Sequence, residues 1–226
     1  QFTHKLFRIN VLCDRITAGK FRNNYGFNSK PLFCYWRRIL SYHETLLSLK
    51  CSIFTFGTRM KNELTITPLE EWLPVSDKPL VISGPCSAES YAQVMETARE
   101  LSKIPQVRVF RAGIWKPRTR PTGFEGVGIE GLKWLQEVKA ETGLLTTVEV
   151  AKPGHIESAL KHDIDILWFG ARTVVNPFTV QELCDSLKGH DVPVMVKNPL
   201  HPDFKLWLGA IERLHKAGIR KIAAVH

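Results

Sequence analysis

Residues 107–116 read Val-Arg-Val-Phe-Arg-Ala-Gly-Ile-Trp-Lys, a largely apolar, β-branched run that holds Arg108, ends on Arg111 and is followed five residues later by Lys116. The run has the composition of a strand buried on both faces, and the glycine marks its exit. Five other segments repeat the pattern: Leu80–Ser83, Leu144–Val150, Asp165–Gly170, Val192–Lys197 and Lys221–Val225. Between the runs lie helical stretches near residues 89–103, 128–141, 154–161, 177–188 and 203–217. Helical spacing is visible in Leu132, Leu135 and Val138, and again in Leu206, Ala210 and Leu214. Alternating strands and helices with short connections predict a parallel sheet with helices outside it.

The residues at the carboxyl end of each run select the architecture. Cys86 stands after the first, Arg111 and Lys116 after the second, Glu149 after the third, Arg172 after the fourth, Lys197 after the fifth and His226 after the sixth. Reactive side chains at the carboxyl end of nearly every strand converge on one mouth in a barrel. A doubly wound sheet concentrates them at one switch point, and GxxxxGK[ST] does not occur. The expected fold is α/β, a (β/α)8 TIM barrel left incomplete, with about six βα units. Residues 60–226 fall short of the ~250 residues of a complete barrel, so a truncated barrel is expected.

The chain has 226 residues and a formal charge of +9. The charge is not spread evenly. Residues 1–59 hold ten Lys or Arg against Asp14 and Glu44, together with Cys13, Cys34 and Cys51 and seven phenylalanines. Residues 60–226 are close to neutral, and the break coincides with Met60, the first methionine. The segment lacks the amphipathic period of an organelle-targeting sequence and the low aromatic content of a nucleic-acid arm. Residues 1–59 are expected to be an atypical basic leader that is not part of the functional domain, which follows at 60–226. Neither nucleic acid nor a membrane is expected as a partner, since the basic charge lies outside that domain and no apolar run approaches the ~20 residues of a span.

Two segments carry the chemistry. Gly84-Pro85-Cys86-Ser87-Ala88-Glu89-Ser90 leaves the first strand through a tight Gly-Pro exit, and Ser87 or Ser90 is placed to cap the next helix. An isolated cysteine is usually core, the reading kept for Cys184, but Cys86 has reactive neighbours and suits a metal-binding thiolate. The second is Phe110-Arg111-Ala112-Gly113-Ile114-Trp115-Lys116-Pro117-Arg118-Thr119-Arg120-Pro121-Thr122-Gly123-Phe124-Glu125-Gly126-Val127-Gly128. Its guanidinium groups offer bidentate donors to phosphate or carboxylate, and its prolines stiffen the loop. A solvated basic turn is the ordinary reading of such a run. Placement at a strand's carboxyl end beside aromatic residues favours anion binding. Arg172 and Lys197 each add a cation just past an apolar strand, and Glu149 is positioned to pair with one of them. His155, His162, His190, His201 and His215 receive no role.

These motifs, GPCSAES, FRAGIWKPRTRPTGFEGVG, the GAR of Gly170–Arg172 and the VKN of Val196–Asn198, resemble the class I 3-deoxy-D-arabino-heptulosonate 7-phosphate (DAHP) synthase family. That family is grouped with 3-deoxy-manno-octulosonate 8-phosphate (KDO8P) synthase, whose branch typically lacks KPRT. The resemblance covers about Met60–His226, and position 120 is Arg where many members have Ser. It implies a transferase that condenses phosphoenolpyruvate with erythrose 4-phosphate and releases phosphate, the first step of the shikimate pathway to aromatic amino acids. It implies Cys86 as one ligand of a divalent metal ion (Mn, Fe, Zn or Co) that polarises the aldehyde. It further implies Arg111, Lys116, Arg172 and Lys197 on phosphoenolpyruvate, Arg111 and Lys116 as catalytic, and Arg118 and Thr119 on the phosphate of erythrose 4-phosphate. A homo-oligomer is implied for the full-length enzyme. The thiolate role of Cys86 suits a reducing cytosol. The other reading is a catalytically inactive fragment that binds phosphorylated ligands without turnover. Members of the family carry their remaining metal ligands, a His, a Glu and an Asp, beyond the sixth strand.

Overall fold

The computed structural model describes residues 10–14, 64–74, 80–116 and 122–226, the first of these as backbone. The strands are β1 (Asn10–Asp14), β2 (Val81–Pro85), β3 (Val107–Arg111), β4 (Leu145–Val150), β5 (Ile166–Phe169), β6 (Val194–Lys197) and β7 (Ile222–Val225). All pair in parallel, each with the next in chain order. Helices α1 (Tyr91–Ser102), α2 (Glu130–Thr142), α3 (Pro153–Lys161), α4 (Ala171–Val174), α5 (Pro177–Ser186) and α6 (Phe204–Lys216) connect β2 through β7. Strands β2–β7 form a curled half-barrel, the incomplete barrel anticipated from the six apolar runs, and no switch point interrupts their order.

Two elements go beyond the sequence reading. Strand β1 pairs residue for residue with β2, from Asn10 opposite Val81 to Asp14 opposite Pro85. Helix α4 is a single turn begun by backbone bonds from Thr173 and Val174 to the Gly170 carbonyl. Four residues are too few to show a helical period, so such a turn is invisible to pattern reading.

Local chemistry sets the helix ends. The Ser90 hydroxyl accepts from the Gln93 backbone N–H, and Gln93 Oε1 accepts from the Glu89 N–H, a reciprocal cap at the start of α1. Asn176 and Asp203 cap α5 and α6 through their side-chain oxygens, and Pro153 and Pro177 open α3 and α5. Gly143 ends α2 in the left-handed conformation, φ 69°.

Side-chain alternation divides the core in two. Phe110, Val148, Leu167, Phe169, Val194 and Val196 face the helices and meet Leu132, Leu135, Ile156, Leu183 and Leu214. Ile82, Val109, Ile166, Trp168, Met195, Ala223 and Val225 face the barrel interior, where Leu73 and Trp72 from the short 3₁₀ turn Leu69–Glu71 pack against them. The same period carries Arg111, Glu149 and Lys197 to the interior side, two residues beyond Val109, Thr147 and Met195. Among the described residues no helix is long and apolar enough to cross a membrane.

Two contacts outside the rim hold the scaffold that supports it. Asp165 accepts from the Thr146 N–H at 2.8 Å and the Thr146 hydroxyl at 3.0 Å, and pairs with Lys139 Nζ at 2.6 Å, so one carboxylate joins α2, β4 and the entry to β5. The His155 ring stacks on Trp115 with centroids 4.0 Å apart and planes 3° from parallel. Its Nδ1 accepts from the Ala151 N–H at 3.3 Å, which makes Nδ1 the unprotonated nitrogen of the neutral ring. The residue after Trp115 is Lys116, so this stack anchors the exit loop of β3 to the start of α3.

Substituting Asp165 by Ala leaves the buried Thr146 hydroxyl and its N–H without their partner. We expect a loss of about 2–3 kcal/mol in urea unfolding. Lys139→Ala removes a half-exposed ion pair and an exposed hydrogen bond to the Asp163 carbonyl, and should cost less than about 1 kcal/mol. Burial, helped by the charge of Lys152, pushes the His155 pKa down to about 4 from its ordinary 6.5. The unfolded chain therefore takes up a proton that the folded chain refuses. The stabilising contribution is complete above pH 6.5 and is lost as pH falls from 6.5 toward 4. Denaturation midpoints measured across that window should fall in the native protein, and His155→Phe, which keeps the ring but cannot titrate, should remove that component.

Candidate functional site

The exits of β2 and β3 lie so close that only glycine fits between them. Gly84 adopts φ +146°, and a Cβ there would sit 2.0 Å from the Arg111 carbonyl oxygen. A Cβ on Gly113 would sit 1.9 Å from the Cys86 carbonyl oxygen. The two loops are then laced by backbone bonds, Gly113 N–H to Pro85 and Ala88 N–H to the Gly113 carbonyl. This approach brings Lys116 onto the first loop: its Nζ donates to the Cys86 carbonyl at 2.7 Å and lies 3.6 Å from Cys86 Sγ. Lys116 and Cys86, 30 residues apart in sequence, are thus neighbours on one rim.

A second cation cluster lies on the interior face. Arg111, at the end of β3, is only 8 % exposed, and Lys197 ends β6. The guanidinium carbon of Arg111 lies 5.0 Å from the centroid of the Trp168 ring, and Lys197 Nζ lies 5.6 Å from it. Neither cation is in an ion pair among the described residues. Arg111 Nε, Trp168 Nε1 and Thr147 Oγ1 are buried with no hydrogen-bond partner among the described residues, and Thr147 stands opposite Arg111 in the β3–β4 register. Unsatisfied buried donors are rare in folded proteins and cluster where a ligand completes them. Three such groups belong to Arg111, to Thr147 opposite it and to Trp168 beside it.

The other candidates fall into place around these groups. Arg172 lies on α4, exposed at the rim. Glu149 enters no ion pair among the described residues, contrary to the pairing expected for it. Its carboxylate lies against Gly170, where a Cβ would meet Oε1 at 1.9 Å. His226 follows β7, its Nδ1 2.7 Å from Asn198 Nδ2. Arg118 and Thr119 lie outside the described residues. Cys184 is fully buried behind the sheet, and burial pushes its thiol up to about 12, which makes it a core residue.

The described residues do not by themselves assemble a metal site. Cys86 offers one sulfur, but no three His, Cys, Asp or Glu side chains gather among the described residues. A catalytic metal takes three or so protein ligands. The described rim does offer cations, Arg111, Lys116, Arg172 and Lys197.

Two groups escaped sequence reading. Trp168 looked like one more apolar strand residue, and His155 like an unassigned loop histidine. Period-two alternation places Trp168 on the same face as Lys197 and Arg111, and that signal was available. Nothing in the sequence pointed to the pairing of His155 with Trp115, which lie on different connections.

The chain is 32% identical over 142 residues to the phospho-2-dehydro-3-deoxyheptonate aldolase of Thermotoga maritima, covering 63% of this chain and 40% of that protein. It is 29% identical over 123 residues to the 2-dehydro-3-deoxyphosphooctonate aldolase of Vesicomyosocius okutanii, covering 52% of this chain and 43% of that one. A solved structure of the Thermotoga maritima DAHP synthase superposes with a TM-score of 0.56 at 30% identity, over 64% of this chain and 40% of that one. The chain therefore spans about two-fifths of the length of these relatives. The model of the DAHP synthetase I family matches residues 68–226, which include β2 through β7 and every rim residue named above, and the chain belongs to that family.

Proposed function

We propose that this chain is the phosphoenolpyruvate-binding part of a DAHP synthase, which joins phosphoenolpyruvate to erythrose 4-phosphate and releases phosphate. The observation that carries the reading is the cluster of Arg111 and Lys197, cations at strand ends with no carboxylate partner among the described residues. A buried guanidinium is costly to hold unpaired, and a small dianion resolves that cost. Phosphoenolpyruvate carries a carboxylate and a phosphate on adjacent positions, which matches two charge centres held near one ring. Lys116, at the mouth, is the third cation within the same rim and stands beside the exit through which a second substrate approaches. Fixed cations of this kind also stabilise the charge that leaves with the phosphate.

Preference for erythrose 4-phosphate over a five-carbon sugar phosphate rests on Lys116-Pro117-Arg118-Thr119 and on the likeness to the Thermotoga maritima protein. In this reading Arg118 and Thr119 take the sugar phosphate, Arg172 joins the phosphoenolpyruvate site, and Cys86 is one ligand of a divalent metal completed by residues other than those described. The chain would act within a homo-oligomer.

Calorimetric titration of the chain with phosphoenolpyruvate should show saturable binding, weakened about tenfold or more by Arg111→Ala, the loss expected for one charge-assisted contact. Absence of binding at millimolar phosphoenolpyruvate would exclude the reading. With a divalent metal present, product formation from erythrose 4-phosphate should exceed that from arabinose 5-phosphate. The reverse order would assign the octulosonate reaction, and binding without turnover would identify a ligand-binding chain that does not catalyse.

A further inference from the structure

Arg111 and Lys197 raise a question that their role as anion ligands leaves open, namely what holds them in place before any anion arrives. A buried arginine ordinarily takes a carboxylate, which satisfies its donors and cancels its charge. Among the described residues the acid on the interior face near these groups is Glu149, and its carboxylate lies against Gly170 instead. Both cations share the indole of Trp168, which is 4 % exposed and stands between them in the sheet, on β5, with Arg111 on β3 and Lys197 on β6.

The face of an aromatic ring attracts a cation through its quadrupole and takes no N–H donor in return. A guanidinium over an indole is therefore held in orientation while its fork stays available, and Arg111 Nε has no partner among the described residues. A carboxylate at the same place would consume the donors and compete with the ligand for them.

We propose that Trp168 is a positioning residue: a shared aromatic platform that holds Arg111 and Lys197 charged and unspent, so that a carboxylate-phosphate ligand binds both at once. The platform rests on the reading of the rim as a phosphoenolpyruvate site, and it makes the site's affinity depend on a side chain that does not itself carry charge.

The test compares Trp168→Phe and Trp168→Leu with the native chain by calorimetry with phosphoenolpyruvate, after circular dichroism shows each variant folded. Leu should weaken binding about tenfold, the size of two partly desolvated cation–π contacts, while Phe, which keeps a smaller ring face, should fall between. In a Lys197→Met background the Leu substitution should cost markedly less, because one of the two held cations is gone; a purely structural role would give the same loss in both backgrounds. Unchanged affinity in folded Trp168→Leu, or equal losses in the two backgrounds, overturns the platform. If the native chain binds no phosphoenolpyruvate, the functional reading fails separately, and NMR then judges the platform alone. Ring-current upfield shifts of the Arg111 Nε–H and Lys197 ε-methylene protons, abolished in Trp168→Leu, support it, and identical shifts in the two proteins overturn it.

Discussion

Each strand of this sheet pairs in parallel with its neighbour in sequence, and that constraint governs everything at the site. Parallel strands joined by helices return to the same starting edge, so all carboxyl ends emerge on one rim. Because the order never reverses, residues as distant as Cys86 and Lys197 become parts of one surface. The pleat adds the second half of the constraint. Side chains alternate between the helix layer and the barrel interior, so a cation at a strand's last position faces inward only if its parity matches that of the apolar interior residues before it. Val109 and Arg111 share a parity, as do Ile166 and Trp168, and Met195 and Lys197.

Close backbone approach then refines the rim. Gly84 and Gly113 have no Cβ, and through that absence the exit of β3 lies directly on the exit of β2. Lys116 reaches the Cys86 carbonyl because of this contact, and the stack of Trp115 on His155 holds the same loop from the other side. Trp115 and Lys116 are therefore held in turn by one aromatic and one polar contact.

The interior cluster shows how a barrel tolerates charge without neutralising it. Around Arg111 lie unsatisfied donors, a second cation and an aromatic face, and no acid among the described residues takes the guanidinium. Such an arrangement is unfavourable for a stable core. The carboxylate of Asp165, by contrast, is fully engaged with Thr146 and Lys139 at the opposite ends of the strands. A satisfied carboxylate thus stands at the amino ends of the strands, and Arg111 and Lys197, in no ion pair among the described residues, stand at the carboxyl ends.

Much of this was legible in the sequence. Six apolar runs with a reactive residue after each pointed to a barrel, and the runs fall within a few residues of β2–β7. Cys86, Arg111, Lys116 and Lys197 were singled out by position alone, since a strand end is a local property. The partner of each was not legible. Glu149 was expected to pair with a cation and faces Gly170, His155 was given no role and holds the β3 exit, and Trp168 passed as a core residue and carries two charges. Sequence determines which residues stand at strand ends, because that depends on local pattern. Only the tertiary structure decides which of them meet, because that depends on sheet register, on side-chain parity across three strands, and on two glycines that let separate loops touch.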